Sequence, residues 1–497
     1  MVSRRTVLRS LGVSTVGVQG FGEFSVATAS ARSVAASPDS IREHRHFRFD
    51  AERSRLLQRY EYRLPDSVSA LIVRSGWFDL DEVTVIETDE FVEDSFELYS
   101  TEVTGYRWTQ DGTPSFELSM DYGEELLPNG LGGYSSETSV FGSQINPYPY
   151  WVTEDGADGS DVERSVLFEQ DGYAGTDWLF IGPHQIAQRD VGKMTHTVVV
   201  PDDIEGTIDT ESLLDVFEAG GRYLEPRLTT NNGVTAFIMN NWRTGSDSSA
   251  QVVGRDIRFT KSATSVDGIS NVPTHEYIHT IYGIFGTEEM FWLREAAAEY
   301  YGYLLALHLN HGTFDRFVET VRTDRYRDIV LAETGPDNNR ASTYYKGAHV
   351  LAALDGQIRA RSSGENSLDD VIPTAEYDLS TYDGFVNAVT EAAGDESLSD
   401  WIDRYTQTTA LPTIPVEPEQ YTLGTASPDT FVVARSDSET RSQGQSTAQG
   451  ESPPADSQDA LDEITGGVDA ESGVLLGSAG MSLLAVIAKL YEDHRSS

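Results

Sequence analysis

The 497-residue sequence predicts an α+β protein, in which an N-terminal antiparallel β-sandwich precedes a mixed-sheet and helical domain. Three observations support this prediction. Short β-prone runs separated by turn residues fill residues 40–200, for example at 69–73, 83–86 and 115–119. Between residues 195 and 259, predicted strands alternate with one predicted helix at 209–223. From residue 274 the pattern turns helical, and residues 293–307 form the clearest helix.

The N-terminus has the features of an export signal. Arg4 and Arg5 precede a mildly apolar stretch, and the small-residue run at 27–31 resembles a cleavage site. We therefore expect residues 1–31 to be a twin-arginine signal peptide and the protein to be extracellular or at the cell surface. An ordinary amphipathic helix that begins with two arginines is the alternative.

The remaining composition divides the chain into further parts. We expect the β-sandwich at 40–200, a catalytic domain at 201–412 and an acidic Ser/Gly-rich linker at 413–472. An apolar segment at 473–491 follows, and sixteen of its residues, 473–488, carry no charge. A membrane-spanning helix needs about 20 residues. With Lys489 snorkelling, a membrane anchor is compatible with this segment, and so is a small docking helix.

The charge balance is strongly acidic. Eighty acidic residues against thirty-six basic ones give a formal net charge of −44, which argues against nucleic acid as a partner. Only four residues are lysine, and the acids are spread along the whole chain. This composition is typical of proteins adapted to high salt, and it indicates a halophilic archaeon as the source. The absence of cysteine excludes disulfides and thiolate ligands.

A metal-binding pattern begins the helical region. His275-Glu276-Tyr277-Ile278-His279 places two imidazoles one turn apart on one face of a helix, where both can bind one Zn²⁺ ion. Glu276 lies between them, and its carboxylate can act as the general base on a water bound by zinc. Zinc needs a third protein ligand and one open position for catalysis.

The following helix supplies the third ligand. Glu295 lies sixteen residues after His279, far enough for a turn and a return to the metal. Glu299, one helical turn later, either accepts a hydrogen bond from a ligand imidazole or lies on a solvated helix face. Both alternatives for Glu299 stay open on the sequence.

These blocks resemble the gluzincin metallopeptidases, a group that includes thermolysin and the aminopeptidase N family. The pentad is followed by Trp292-Leu293-x-Glu295-Ala296, and a third block reads Tyr-x-Lys-Gly-Ala from Tyr344. With Leu-Asp-x-x-Ile-Arg at 354–359 and Ser-Leu-Asp-Asp-Val at 367–371, the chain is most similar to the glycyl aminopeptidase family. The resemblance implies a thermolysin-like catalytic domain, a Zn²⁺ cofactor and hydrolysis of peptide bonds. It also implies that Tyr344 donates a hydrogen bond to the oxyanion.

One departure affects the expected substrate. Aminopeptidases of these families carry a glutamate beside the edge strand that binds the free amino group, whereas residues 245–254 contain none, and Asp247 is the nearest substitute. Aminopeptidase and endopeptidase activity therefore both stay open, with a peptide or protein as the substrate. Two other functions remain: a catalytically inactive surface binding or scaffold protein, and a zinc hydrolase of non-peptide substrates.

Overall fold

The computed structural model describes residues 41–423, except for gaps at 75–82, 90, 99–100, 111, 123–132, 155–157, 160–161, 225–232, 241–249, 283–289, 336–339, 373–378, 380 and 422. The predicted signal peptide, most of the predicted linker and the apolar segment at 473–491 lie outside the described residues. Within the described ranges, the structure contains no helix of the length and hydropathy that a membrane span requires.

Antiparallel sheets make up the first part of the chain. The prediction of β-structure before a mixed sheet and helices is confirmed, and the predicted runs at 69–73, 83–86 and 115–119 all lie in strands. The strands are β1 (Arg42–Asp50), β2 (Arg55–Arg63), β3 (Val68–Arg74), β4 (Val83–Asp89), β5 (Phe91–Leu98), β6 (Thr101–Trp108), β7 (Ser115–Asp121), β8 (Tyr134–Ser135), β9 (Val140–Ser143), β10 (Tyr148–Thr153), β11 (Asp158–Gly159), β12 (Glu163–Phe168), β13 (Gly172–Ala174) and β14 (Trp178–Ile181).

Two of these sheets enclose one hydrophobic core. Their strand orders are β12-β1-β2-β7-β4 and β11-β10-β3-β6-β5, and all pairs are antiparallel except β1 with β12. Alternate residues of β1 are buried, as expected for a strand with one face on a core. Phe47 from the first sheet and Leu71 from the second belong to the same buried cluster. A third sheet, β13-β14-β9-β8, adjoins them.

A mixed sheet carries the helices. It contains β15 (His184–Val191), β16 (Met194–Pro201), β17 (Thr235–Met239), β18 (Ala250–Val253) and β19 (Asp256–Thr260), in the order β15-β16-β17-β19-β18. The pairs β16–β17 and β17–β19 are parallel, and β18 is an antiparallel edge strand. This one sheet therefore combines β15 and β16, which end by residue 201, with three later strands. Successive buried residues in β16 are expected of a strand that is covered on both faces.

The helices pack on this sheet and on one another around a second, larger core. Helix α3 is buried on almost every side, which is expected of a central helix whose residues are mostly apolar. The predicted helices at 209–223 and 293–307 are confirmed by α1 and α3. The helices are α1 (Thr210–Tyr223), α2 (Val272–Tyr282), α3 (Phe291–His308), α4 (Phe314–Val321), α5 (Arg340–Arg361), α6 (Tyr382–Ala393) and α7 (Leu398–Thr406).

Candidate metal centre

Helix α2 places the two histidines of the pentad side by side. The Asn271 side chain accepts a hydrogen bond from the backbone N–H of Thr274 at 3.0 Å and so caps the start of the helix. Pro273 fits the first turn, where its missing N–H costs no helical hydrogen bond. One turn of helix separates His275 from His279, and their Nε2 atoms lie 3.1 Å apart.

Glu295 of α3 completes a triangle of ligand atoms. Its Oε2 atom lies 3.3 Å from Nε2 of His279 and 3.6 Å from Nε2 of His275. Tetrahedral zinc with bonds of about 2.0–2.1 Å holds neighbouring ligand atoms roughly 3.3–3.4 Å apart. The three observed separations scatter around that value. The two imidazoles and the carboxylate therefore fit a zinc ion, and they are the only such group of three found among the described residues.

A glycine allows α2 and α3 to approach this closely. A Cβ atom added to Gly302 would lie 3.2 Å from both the Cα and the backbone nitrogen of His275. Separations of that size are tighter than most side chains tolerate, because protein interiors have little free volume. Ala298, one helical turn before Gly302, is another small buried residue on this face of α3. The metal ligands converge because the two helix backbones are nearly in contact.

Glu299 lies behind the ligands and contacts His275. Its Oε2 atom is 2.7 Å from Nδ1 of His275, and its Oε1 atom accepts a hydrogen bond from the Tyr303 hydroxyl. A proton on Nδ1 that is donated to this carboxylate leaves the lone pair of Nε2 directed at the metal position. The structure therefore favours the hydrogen-bonding interpretation of Glu299 over the solvated helix face.

Electrostatic coupling within the cluster is strong. Burial opposes protonation of His275, yet the neighbouring carboxylates of Glu295 and Glu299 outweigh burial and raise the pKa of the imidazole to about 10. Burial lowers the pKa of His279. Burial alone would raise the pKa of Glu295, but the two imidazoles hold it well below its ordinary value. The carboxylates attract positive charge to this position, and a divalent cation bound there would supply it.

The two predicted catalytic side chains lie beside the ligands. Glu276 follows His275 on α2, is half-buried, and its charge contributes to the raised pKa of the His275 imidazole. The Tyr344 ring of α5 stacks on the His275 ring, with centroids 5.4 Å apart and the planes 20° from parallel. Tyr345 instead stacks on Tyr326. Asp247, the candidate for binding the substrate amino group, lies outside the described residues.

The Lys-Gly pair after Tyr345 fixes the position of α5. The Lys346 ammonium donates to the backbone carbonyls of Ile329 at 2.5 Å and Thr408 at 3.1 Å. A Cβ atom added to Gly347 would lie 2.6 Å from Cβ of Ala296, so glycine lets α5 approach α3. These residues of the third sequence block support the site and do not contact the metal ligands.

Except for Asp247, which is not described, the structure brings together the residues that the sequence prediction named, and two further residues lie beside them. Tyr303 hydrogen-bonds Glu299, and Arg294 lies beside Glu295 with their Nε and Oε1 atoms 3.6 Å apart. A signal for Tyr303 existed, because Glu295, Glu299 and Tyr303 recur every four residues and so share one face of α3.

Comparisons with known proteins give only distant likenesses. No protein-family model and no curated protein sequence matches the chain. Similar solved structures include an aminopeptidase N family protein from Idiomarina loihiensis, at 11% identity and a TM-score of 0.43, with 73% of this chain and 74% of that chain covered. Aminopeptidase A from Legionella pneumophila shows 11% identity and a TM-score of 0.42, over 76% of this chain and 50% of that one.

An M1 zinc metallopeptidase from Deinococcus radiodurans is also similar, at 11% identity and a TM-score of 0.41, with 76% of this chain and 95% of that chain covered. The metal centre rests on the side-chain geometry of the chain itself.

Proposed function

We propose that this protein is a zinc-dependent metallopeptidase. The observation that carries the proposal is the triangle of Nε2 of His275, Nε2 of His279 and Oε2 of Glu295, with separations of 3.1, 3.3 and 3.6 Å. Two imidazoles and one carboxylate are a ligand set used by catalytic zinc sites, which keep a further position open for substrate or water. Zinc held there would supply Lewis-acid polarisation of a carbonyl and acidification of water.

Glu276 and Tyr344 supply the proton transfer and the hydrogen bond that peptide hydrolysis requires. Glu276 accepts the proton of the attacking water and then delivers it to the leaving nitrogen. Tyr344 is held against His275, and its phenol donates to the oxygen that becomes negatively charged in the transition state. Glu299 holds the proton on Nδ1 of His275 and keeps the imidazole in the orientation that zinc needs.

The substrate is an extended peptide. The mixed sheet ends at β18, whose backbone pairs only with β19 among the described strands. An edge strand of this kind binds a peptide by adding it to the sheet. Comparing hydrolysis of one peptide with a free and with an acetylated N-terminus separates aminopeptidase from endopeptidase activity, because only an aminopeptidase needs the free amino group.

Replacement of the general base tests the reaction class. We expect Glu276→Gln to keep one zinc per chain and to lose peptide hydrolysis by about a hundredfold or more, because general-base catalysis contributes about 10²–10⁴-fold. Zinc content from atomic emission and hydrolysis of a quenched fluorescent peptide measure the two quantities. A purified protein without stoichiometric zinc, or a Glu276→Gln variant with normal turnover, refutes the proposal.

We also propose that the protein is exported and works in high salt. The support is the sequence: the Arg4-Arg5 signal pattern and the net charge of −44. Salt screens the repulsion among surface carboxylates. Activity and the unfolding temperature should therefore both rise with salt concentration, and full stability in dilute buffer contradicts the high-salt interpretation. Substituting lysine for both arginines of the signal should retain the protein inside the cell.

A further inference from the structure

A guanidinium lies against the outer edge of the metal centre. Arg294 precedes the ligand Glu295 on α3, and its Nε atom is 3.6 Å from Oε1, the carboxylate oxygen farther from the two imidazoles. Among the described residues, Glu295 is its only ion-pair partner. Nε is buried, but 41% of the Arg294 side chain is exposed. The exposed part therefore belongs to the rest of the side chain, which includes its two terminal nitrogens.

With a divalent cation bound by His275, His279 and Glu295, this position would be electrostatically unfavourable for a second cation. The charge of Arg294 acts on both His279 and Glu295, so it opposes binding of a divalent cation by the same residues. Arg294 is also the fourth residue of α3, close to its N-terminus, and the positive end of the helix dipole there disfavours a second positive charge. A separation of 3.6 Å is too long for a hydrogen bond, so Arg294 does not hold Glu295 in place by one.

An anion on the solvent side of Arg294 would offset both costs. The terminal nitrogens of a guanidinium bind a carboxylate in a bidentate fork. In a chain with a net charge of −44, a partly exposed guanidinium beside the site also offsets locally the general repulsion of acidic peptides.

We propose that Arg294 binds a carboxylate of the substrate and so makes the enzyme selective for peptides with a negative charge close to the scissile bond. The inference rests on the proposed peptidase function. The carboxylate belongs either to an acidic side chain or to the C-terminus of a short peptide, and both present the same pair of oxygens to the guanidinium.

Binding to an inactive protein tests this directly. The zinc-loaded Glu276→Gln variant is titrated calorimetrically, at fixed salt, with Ala-Phe-Ala-Ala as the free acid and as the C-terminal amide. Further amides carry Glu or Gln in place of either middle residue. The acid–amide pair tests the C-terminus, and each Glu–Gln pair tests a side chain. We expect one pair to favour the carboxylate at least tenfold, which corresponds to about 1.4 kcal/mol.

Adding Arg294→Gln should reduce that preference to less than about threefold. Arg294→Lys should retain part of it, because the charge remains but the fork is lost. Arg53→Gln, which replaces an exposed arginine in the turn between β1 and β2, is the matched control for charge removal and should retain the full preference. Zinc content is measured for every variant.

The outcomes separate this inference from the proposed function. Equal affinity for acid and neutral peptides, or a preference that survives Arg294→Gln, overturns the carboxylate site. If the preference depends on Arg294 but the unmodified enzyme hydrolyses no peptide, the carboxylate site stands and the peptidase proposal fails. If the enzyme hydrolyses peptides, the ratio of kcat/KM for the acid and neutral members should fall to near one in Arg294→Gln.

Discussion

Replacing Glu299 by alanine tests how strongly the zinc ligands depend on the residues behind them. Glu299 is buried, its Oε2 atom lies 2.7 Å from Nδ1 of His275, and Oε1 accepts from the Tyr303 hydroxyl. Removing the carboxylate leaves the His275 ring without the acceptor that fixes its tautomer and removes one acceptor of Tyr303. Neither change removes an atom that would bind the metal, so a loss of zinc affinity reports how His275 is held.

The expected loss follows from the kind of hydrogen bond. A bond from an imidazole to a buried carboxylate is worth about 1.5–3 kcal/mol, which corresponds to roughly a ten- to hundredfold weaker zinc affinity. Glu299→Gln keeps a carbonyl oxygen that can accept from Nδ1, so its loss should be less than about tenfold. Tyr303→Phe deletes only the hydroxyl and should weaken zinc binding less than Glu299→Ala does.

Competition with a chromogenic chelator at constant salt and pH measures the zinc dissociation constants. Glu319→Ala, which removes an exposed carboxylate from α4, controls for the loss of one negative charge. Circular dichroism verifies that each variant is folded. If Glu299→Ala binds zinc within twofold of the unmodified protein, Glu299 does not orient His275 and the reasoning is wrong.

Three further outcomes follow from packing, titration and the proposed oxyanion donor. Gly347→Ala should cost about 1–3 kcal/mol in chemical denaturation because its Cβ would lie 2.6 Å from that of Ala296, whereas Gly335→Ala, with open space around it, should change stability by less than about 0.5 kcal/mol. Burial and Arg255 lower the pKa of His196 to about 4, below its ordinary value of about 6.5. As the pH falls, the unfolded chain therefore binds this proton before the folded chain does, and the free energy of unfolding should fall by about 2 kcal/mol between pH 7 and pH 5. Denaturation curves measured at several pH values should show this decrease in the unmodified protein and lose it in His196→Gln. Tyr344→Phe keeps the ring on His275 and should reduce kcat by roughly a hundredfold or more while zinc affinity stays within about threefold; an unchanged kcat excludes an oxyanion role.

The ligand triad was predictable because its geometry is local. His275 and His279 are four residues apart, so any helix at that place puts both on one face. Glu295 required one more assumption, that the following helix returns to the first. Zinc chemistry restricts the ligand types so strongly that few residues nearby qualified.

The residues around the triad were harder to predict because their roles depend on how helices pack. Acidic residues occur throughout this chain, so Glu299 on the sequence looks like many solvated carboxylates. Only the approach of α3 to α2 through Gly302 places it against His275. For Arg294, which also lies on α3, the separation from Glu295 and the partial exposure follow from helix packing and have no signature in the sequence.

The organisation of the sheets was also only partly predictable. The β-prone runs locate the strands, because alternation of buried and exposed residues is a local pattern. Their partners depend on contacts between distant segments. The carboxylate of Asp256 at the start of β19 accepts hydrogen bonds from the backbone N–H groups of Thr176, Asp177 and Trp178. This contact ties the mixed sheet to the β-rich region across about 80 residues, and no local signal indicates it.

In the third sequence block, Tyr-x-Lys-Gly-Ala from Tyr344, only the tyrosine has a proposed role in the reaction, and the lysine and glycine are structural. Lys346 is one of only four lysines in a chain dominated by acids, and its ammonium is buried between the carbonyls of Ile329 and Thr408. An ammonium has donors for both carbonyls on a narrow stem, whereas a planar guanidinium needs more space and a different arrangement of acceptors. Together with Gly347, this anchor fixes the early turns of α5 between two distant segments. Tyr344 lies two residues before the anchor, so its stacking on His275 follows from where Lys346 and Gly347 hold the helix.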